Sequence, residues 1–571
     1  MTEQMRAALG LAADDRRVTP AQLMRAILVA DVDLLWNGGI GTYVKASTET
    51  QAEAGDKAND AIRVDGRELR ANCVGEGGNL GLTQAGRVEY ALAGGRITTD
   101  FVDNSAGVDT SDHEVNIKIL LDRVVTAGDL SGKQRNALLE EMTDDVARLV
   151  LADNDGQNLA LANSLAMAPS LLHVHADWMQ RLERAGLLDR DLEFLPDDKE
   201  IARRRDEDLG LTAPELAVLL AYTKIVLAGE LTESDLPDDP FMRGHLFRYF
   251  PTAMRQEFRD QMDSHPLRRE IVVTQLVNEL VNSGGITFFQ RLSGETGATA
   301  SELTRAHAVA AELFGADQLG ALVHELDHDV DAAVQTRMRL EIRTLTERAS
   351  RWLVNHRWHF DAERTVEQVG TTVLQVVRSL PHILGGRDLE RLQARAAALE
   401  QEGVPPEVAL RTAALPPAYA ALAVVEVARR LDRDPIQVAR VHGTLGQELG
   451  MDLLYDRVLE LPRQDRWQTM ARAALRDDLQ QVHAGLTEKV LTHAVAEGAE
   501  PEQVEEPHQA EEPATDDADH TRADAMVAAW VAAEGSVLQR GRATLREICR
   551  DDSPDLARMS VGLRVARSLL G

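Results

Sequence analysis

Three short segments carry the residues best suited to hold a ligand. They are Trp36-Asn37-Gly38-Gly39-Ile40-Gly41, Gly75-Glu76-Gly77-Gly78-Asn79-Leu80-Gly81 and Asp103-Asn104-Ser105-Ala106-Gly107. Glycine lets a ligand approach the main chain and permits positive φ. Asparagine offers a donor and an acceptor on one amide. No Ser-His-Asp or Cys-His arrangement can be argued from spacing, so the chemistry these segments suit is binding and positioning. An αβ protein also turns with Gly and Asn for geometric reasons alone, but three such turns on one sheet edge favour a site. The middle segment is not the G-x-G-x-x-G fingerprint, because its last glycine falls one place late.

One metal motif has to be weighed. His324-Glu325-Leu326-Asp327-His328 is an HExxH, which on a helix would set two imidazoles on one face for zinc. Asp327 and Asp329 put charges where catalytic zinc helices are apolar, and no third histidine follows at a suitable spacing. We read it as a charged surface segment, and expect no metal. The two histidines of His173-Val174-His175 point apart on a helix. Cys73 lies in a strand-like run and reads as packing.

The elements that must position the three loops come next. Thr19-Pro20-Ala21-Gln22 is a capping box that starts a helix. Strands are expected at Val32–Trp36, Leu69–Val74 and Arg96–Val102. Each is ended by one of the three loops, and helices are expected at Thr83–Ala93 and Ser111–Val125. Strands alternating with helices predict a parallel sheet with crossover helices, whose ligands sit beyond the carboxyl ends of the strands. Such a sheet, with no glycine fingerprint at its front, is either a different fold or the tail of a dinucleotide-binding domain. Asn79 and Asn104 are expected to face one cleft. From residue 129 the pattern is helical, with further capping boxes at Ser131-Gly132-Lys133-Gln134 and Thr212-Ala213-Pro214-Glu215. Residues 499–519 hold three prolines, nine acidic residues and no Lys or Arg, which is the composition of a solvated linker. A last helical segment follows, with Trp530 as its anchor.

Composition bounds the partners. The 571 residues carry 62 Lys and Arg against 93 Asp and Glu, a net charge of −31. That disfavours nucleic acid and anionic membrane, both of which need a positive field. Aromatic residues are only 4% and the apolar content is Ala, Leu and Val, which suits helices. Two cysteines make no disulfide framework. No run approaches the roughly 18 apolar residues of a membrane span; the best, Ala413–Val425, is broken by Pro416 and Pro417. There is no signal-peptide pattern at the N-terminus, and the expected location is the cytoplasm.

The loops also carry a resemblance. Residues 31–46 (DVDLLWNGGIGTYVKA), 73–87 (CVGEGGNLGLTQAGR) and 99–118 (TDFVDNSAGVDTSDHEVNIK) resemble the large NAD-specific glutamate dehydrogenases of bacteria. So do 193–198, 211–222 and 273–285. The resemblance is close over about residues 15–360 and looser beyond. It implies oxidative deamination of L-glutamate to 2-oxoglutarate and ammonia, with hydride passed to NAD. It also implies that the complete enzyme is a homo-oligomer. In the similar small hexameric glutamate dehydrogenases an E-G-A-N-x-P loop approaches the cofactor, and Glu76-Gly77-Gly78-Asn79 stands in its place. Asn104 to Ser111 match the N-A-G-G-V-x-x-S segment between nicotinamide and substrate. The resemblance thus implies cofactor contacts at Asn37, Gly38, Glu76, Gly77, Gly78, Asn79 and Asn104. It implies substrate contacts at Asn104, Val108 and Ser111. This sequence departs from the pattern at Ala106, Gly78 and Gly81, where the small enzymes have Gly, Ala and Pro.

The family places its catalytic lysine and aspartate, and its glycine turn, ahead of the residues matched here. The expectation is therefore a C-terminal portion of a longer enzyme, with no catalytic residue in this chain and no activity alone. The fold expected is α/β followed by all-α: an incomplete Rossmann-like parallel sheet, then a large helical region. By residue, 1–128 would complete the catalytic and NAD-binding domain, 129–498 form the helical C-terminal domain, 499–521 an acidic disordered linker, and 522–571 a terminal helical segment. The alternative is a non-catalytic helical scaffold with a degenerate nucleotide-binding fold; a zinc hydrolase using His324 and His328 is remote. Asp112, His113 and Glu114 read as a charged first helical turn.

Overall fold

The computed structural model describes residues 1–571 except 13, 15, 16, 359, 360, 497–516 and 551–553. It falls into two compact units, Met1–Arg291 and Leu292–Gly571. The principal helices of the first unit are α1 (Glu3–Ala8), α2 (Pro20–Leu28), α3 (Gln84–Leu92), α4 (Asp100–Asp103), α5 (Ser105–Ala127), α6 (Gly132–Glu141), α7 (Thr143–Arg184), α8 (Asp198–Asp206), α9 (Ala213–Thr232) and α10 (Arg243–Tyr249). Its strands are β1 (Leu34–Asn37), β2 (Val44–Lys45), β3 (Val64–Asp65) and β4 (Cys73–Glu76).

The capping boxes set the helix starts as their chemistry requires. At α2 the Gln22 amide N–H donates to Thr19 Oγ1 at 3.3 Å, and the Thr19 N–H donates to Gln22 Oε1 at 2.8 Å. The same reciprocal pair, Ser131 with Gln134, opens α6.

The strands are parallel but much reduced. β1 pairs with β4 in the register Leu34–Cys73 to Asn37–Glu76, and β2 pairs with β3. The second pair, β2 with β3, was not anticipated. Its Val44 and Val64 join Leu69, Ala71, Val74, Leu82, Tyr90 and Ile97 in one apolar cluster under α3. The second strand begins later than predicted and keeps Gly75 and Glu76, because Trp36 lies across the glycines: a Cβ at Gly75 would meet the Trp36 ring at 2.7 Å. The third predicted strand is a correction. Only one bridge forms, Cys73 with Arg96, and the chain turns helical at Asp100. The reason is polar: the Asp103 and Asp100 carboxylates accept from the Glu76 and Leu80 N–H groups, both at 2.8 Å, which an extended chain could not arrange. The helix predicted from Ser111 begins six residues earlier, at Ser105.

The helices of residues 129–291 share this unit. Gln84 on α3 donates to Pro214 O at 3.2 Å at the start of α9, and Asn154 on α7 donates to Val102 O at 2.9 Å and Ser105 Oγ at 2.7 Å. The second unit is helical, as the period of its apolar residues predicts. Leu303, Val309, Leu313, Leu353, Val369 and Val373 are all fully buried there. The acidic segment predicted at 499–521 lies outside the described residues up to 516; from Asp517 the chain is already in the helix Asp517–Ile548, anchored by Trp530 at 1% exposure. Among the described residues no single helix is long and apolar enough to cross a membrane. Pro406–Ala413 and Leu415–Leu431 reach that composition only together, bent by 44°. Leu422, Val424 and Val425 of that pair are buried.

Candidate functional site

The three segments meet at one edge of the β1–β4 sheet, but the third, expected as a loop, is the junction of α4 and α5, with only Asn104 outside a helix. Asn37 ends β1 opposite Glu76, and the Gly78 N–H donates to Asn37 O at 2.9 Å, which ties the first loop to the second. The third follows by way of Asn104, whose side-chain amide donates to Glu76 O at 2.9 Å. Asn79 is exposed two residues before Gly81, and Asn104 is half-buried. The close approach also explains two departures from the small-enzyme pattern. A Cβ at Gly78 would stand 2.2 Å from Gly39 O, and one at Gly81 would stand 1.8 Å from Asn37 Nδ2. Neither alanine nor proline fits while the first loop lies where it does.

Glu76 has no exposed surface. Its carboxylate accepts from Arg87 Nε at 2.6 Å, Arg87 Nη2 at 2.9 Å and the Leu82 N–H at 3.1 Å. Arg87 also reaches Asp100 at 3.2 Å. Burial nevertheless pushes the Glu76 carboxyl above its ordinary range, with Arg87 pulling the other way. This pair braces the loop from beneath, and what Glu76 offers a ligand is its main chain. Asn37 is different: its Nδ2 is buried with no hydrogen-bond partner among the described residues.

Val108 and Ser111 stand one turn apart near the start of α5, on its open side; Val108 is 76% exposed. Trp36, Ile40, Leu80 and Phe101 of the neighbouring segments are also exposed, and β1 pairs with no described strand other than β4.

The opposite side of α5 corrects the reading of residues 112–114. His113 is 1% exposed and stacks on Tyr249 of α10 with ring centroids 4.3 Å apart. Tyr249 donates to Asp112 Oδ2 at 2.8 Å, and this bond together with burial raises its hydroxyl well above the usual range. Asp112 and Glu114 are surface residues as expected, Glu114 paired with Lys118, so the correction falls on His113. Sequence reasoning also missed a cluster here. Donor atoms of Asp109, His113 and Asp153 lie within 4.8 Å of one another, a spacing one cation could bridge. Burial, then the charges of Asp153 and Asp112, push the Asp109 carboxyl up to about 7. The signal available was the i, i+4 spacing of Asp109 and His113; Asp153 comes from another helix and had none.

The HExxH reading fails on geometry. The helix Ala316–His324 ends at the first histidine, and His328 lies in a turn with φ +73°. The two imidazoles do not share a helical face. Cys73 is half-buried at the start of β4, and burial raises its thiol.

Comparison with known proteins adds the following. The family profile for the glutamate dehydrogenase C-terminal region matches residues 208–568, and that for the catalytic domain of bacterial NAD-glutamate dehydrogenase matches residues 1–164. The NAD-specific glutamate dehydrogenase of Halomonas elongata is 43% identical over 491 residues, 86% of this chain and 30% of that protein. That of Mycobacterium tuberculosis is 40% identical over 574 residues, 100% of this chain and 34% of that protein. That of Pseudomonas aeruginosa is 41% identical over 565 residues, 99% and 33%. The chain spans about a third of the length of the curated relatives it matches.

Proposed function

We propose that this chain, which belongs to the bacterial NAD-specific glutamate dehydrogenases, forms one wall of the site at which L-glutamate is oxidatively deaminated to 2-oxoglutarate and ammonia. The observation that carries the proposal is the convergence of two glycine-rich loops and the α4–α5 junction on one strand edge, with Asn104 tied to Glu76 O and Val108 and Ser111 exposed further along α5. In this reading residues 1–128 are the C-terminal part of a Rossmann-type dinucleotide-binding domain, and the helices of 129–498 are a separate functional region.

The residues present fit NAD. Asn37 Nδ2 is a buried donor without a partner, and Gly38, Gly77, Gly78 and Asn79 let a large ligand lie against the main chain. NAD supplies the hydride acceptor when bound. Asn104 donates its amide N–H to Glu76 O, which fixes the plane of the side chain and leaves Oδ1 free to accept from a carboxamide. Val108 packs on the carbon stem of glutamate. Ser111 donates to its side-chain carboxylate. Such a wall works by placement, holding reactants in a near-attack geometry. It supplies no general acid or base. The motifs matched here include no counterpart of the family's catalytic lysine, so the proposal is that activity needs the upstream polypeptide and that the complete enzyme is a homo-oligomer.

Two measurements test this. The 571-residue chain should form no NADH from glutamate alone, and should do so when the upstream polypeptide is added; activity of the chain alone overturns the division of labour. In the complete enzyme Ser111→Ala should lower kcat/KM for glutamate by roughly 10- to 100-fold, the worth of about 1.5–3 kcal/mol for a hydrogen bond to a charged group. NAD affinity should be unchanged. Unaltered glutamate kinetics would remove Ser111 from the site.

A further inference from the structure

A cavity of about 650 Å³ opens within the second unit. That is a common size for a small-molecule site. Most of its wall is apolar, including Val376, Leu380, Ile383, Leu392 and Val424. The polar part is unusual for a chain of net charge −31. Six arginines line the cavity, against the four carboxylates of Asp388, Asp452, Asp456 and Glu460.

Four of those arginines are answered within the fold. Arg387 and Arg391 pair with Asp456, Arg457 with Glu460 at 2.7 Å, and Arg476 with Asp477 at 2.8 Å. Arg395 is exposed to water. Arg348 differs from both: it is half-buried and forms no ion pair among the described residues. It stands on the helix Ala332–Asn355, lines the cavity and makes no hydrogen bond among the described residues. Burial, and then the neighbouring Arg476, lower its pKa to about 10. Glu347 and Glu341 oppose that shift only in part, and a guanidinium keeps its charge at neutral pH, so a half-buried one with no hydrogen-bonded carboxylate has donors left for an anion. A second donor is also unused: Nε2 of Gln480, a residue lining the same cavity, has no hydrogen-bond partner among the described residues. An anion in the cavity would satisfy both.

We infer that this cavity binds a small organic anion, its charged head paired with Arg348 and its apolar body lying on Val376, Leu380 and Val424. The head can be a carboxylate or a phosphate ester, since both accept from a guanidinium in the same fork geometry. The apolar wall excludes a bare inorganic ion as the natural occupant, because nothing in it would replace the hydration of the ion's far side.

The probe is 8-anilinonaphthalene-1-sulfonate, which carries an anionic head on an apolar body, titrated by fluorescence into the 571-residue chain. The expected result is one tight saturable component, weakened at least tenfold by Arg348→Gln and kept within about threefold by Arg348→Lys. N-phenyl-1-naphthylamine, which lacks the sulfonate, should not distinguish wild type from Arg348→Gln. Benzoate and phenyl phosphate compete in separate arms, and whichever displaces the probe identifies the head. Ala420→Phe fills the cavity with Arg348 intact and should also remove the tight component, which covers the case that Arg348→Gln fails to fold. Equal binding by wild type and a folded Arg348→Gln would overturn the site, as would survival of the tight component in Ala420→Phe. Displacement by neither benzoate nor phenyl phosphate would overturn it too.

Discussion

The buried pair Glu76–Arg87 sits directly under the proposed cofactor loop, and Arg87→Met isolates what it contributes. The substitution keeps an apolar stem of similar length and deletes two charge-assisted hydrogen bonds to Glu76 and the 3.2 Å contact to Asp100. Glu76 is left at zero exposure with one remaining donor, the Leu82 N–H. A carboxylate in that position escapes by taking a proton, so the electrostatic penalty has a ceiling. Relative to an unfolded carboxyl titrating near 4.3, protonation at pH 7 costs about 3.7 kcal/mol. That agrees with the usual cost of breaking a buried pair by removing one partner, about 3–5 kcal/mol. The sign follows from the direction of the shift. Burial raises the folded pKa of Glu76, and loss of Arg87 raises it further. The variant is therefore least penalised near or below pH 4.3 and loses stability as pH rises towards the new folded value. At pH 5 the electrostatic part should shrink to about 1 kcal/mol. Amide exchange of Cys73 and Val74 reads this locally, because their N–H groups bond to Asp33 O and Arg96 O across the sheet. The double variant Glu76→Gln, Arg87→Met should recover most of the loss. A penalty below about 1 kcal/mol at pH 7, or one of equal size at pH 5 and pH 7, would show that the pair does not brace the loop.

Gly78→Ala should push the second loop off the first, since its Cβ would sit 2.2 Å from Gly39 O; an overpacking cost of about 1–3 kcal/mol predicts roughly tenfold or more loss of NAD affinity in the complete enzyme, read by titration, with carboxylate recognition at Ser111 spared. The second unit should lose stability on acidification. Burial lowers His307 and His483 to about 4, so the unfolded chain takes up protons between about pH 6.5 and 4 that the folded unit refuses. Each histidine should cost about 2.7 kcal/mol by pH 4.5, visible as a falling melting temperature, and a flat profile would contradict the burial. Cys549, pushed up to about 11 by burial, should be alkylated by iodoacetamide at pH 8 about a hundredfold more slowly than a free thiol; faster labelling would mean that the helix Asp517–Ile548 opens readily.

The sequence by itself determined the local starts and stops and the chemistry of the loops. Thr19 with Gln22, and Ser131 with Gln134, cap helices because the donors and acceptors lie within three residues of one another. The parallel direction of the strands was legible from the strand–loop–helix order. So was the helical character beyond residue 129, from apolar residues at helical spacing. The meeting of the first two Gly- and Asn-rich loops followed from that order, whereas the third segment is helical and joins them through Asn104. What the tertiary structure decided was every feature that depends on a distant partner. Arg96–Val102 has the composition of a strand, yet Asp100 and Asp103 bend it into a helix to reach the N–H groups of Leu80 and Glu76. His113 read as a surface charge until Tyr249, 136 positions later in the chain, supplied a ring to cover it. The Glu76 carboxylate has no partner nearby in sequence, and it is Arg87 that turns it inward. Hydrophobic period and capping are properties of neighbours along the chain. Burial of a charge is settled only when a partner arrives through space, and there the one-dimensional pattern carries no signal.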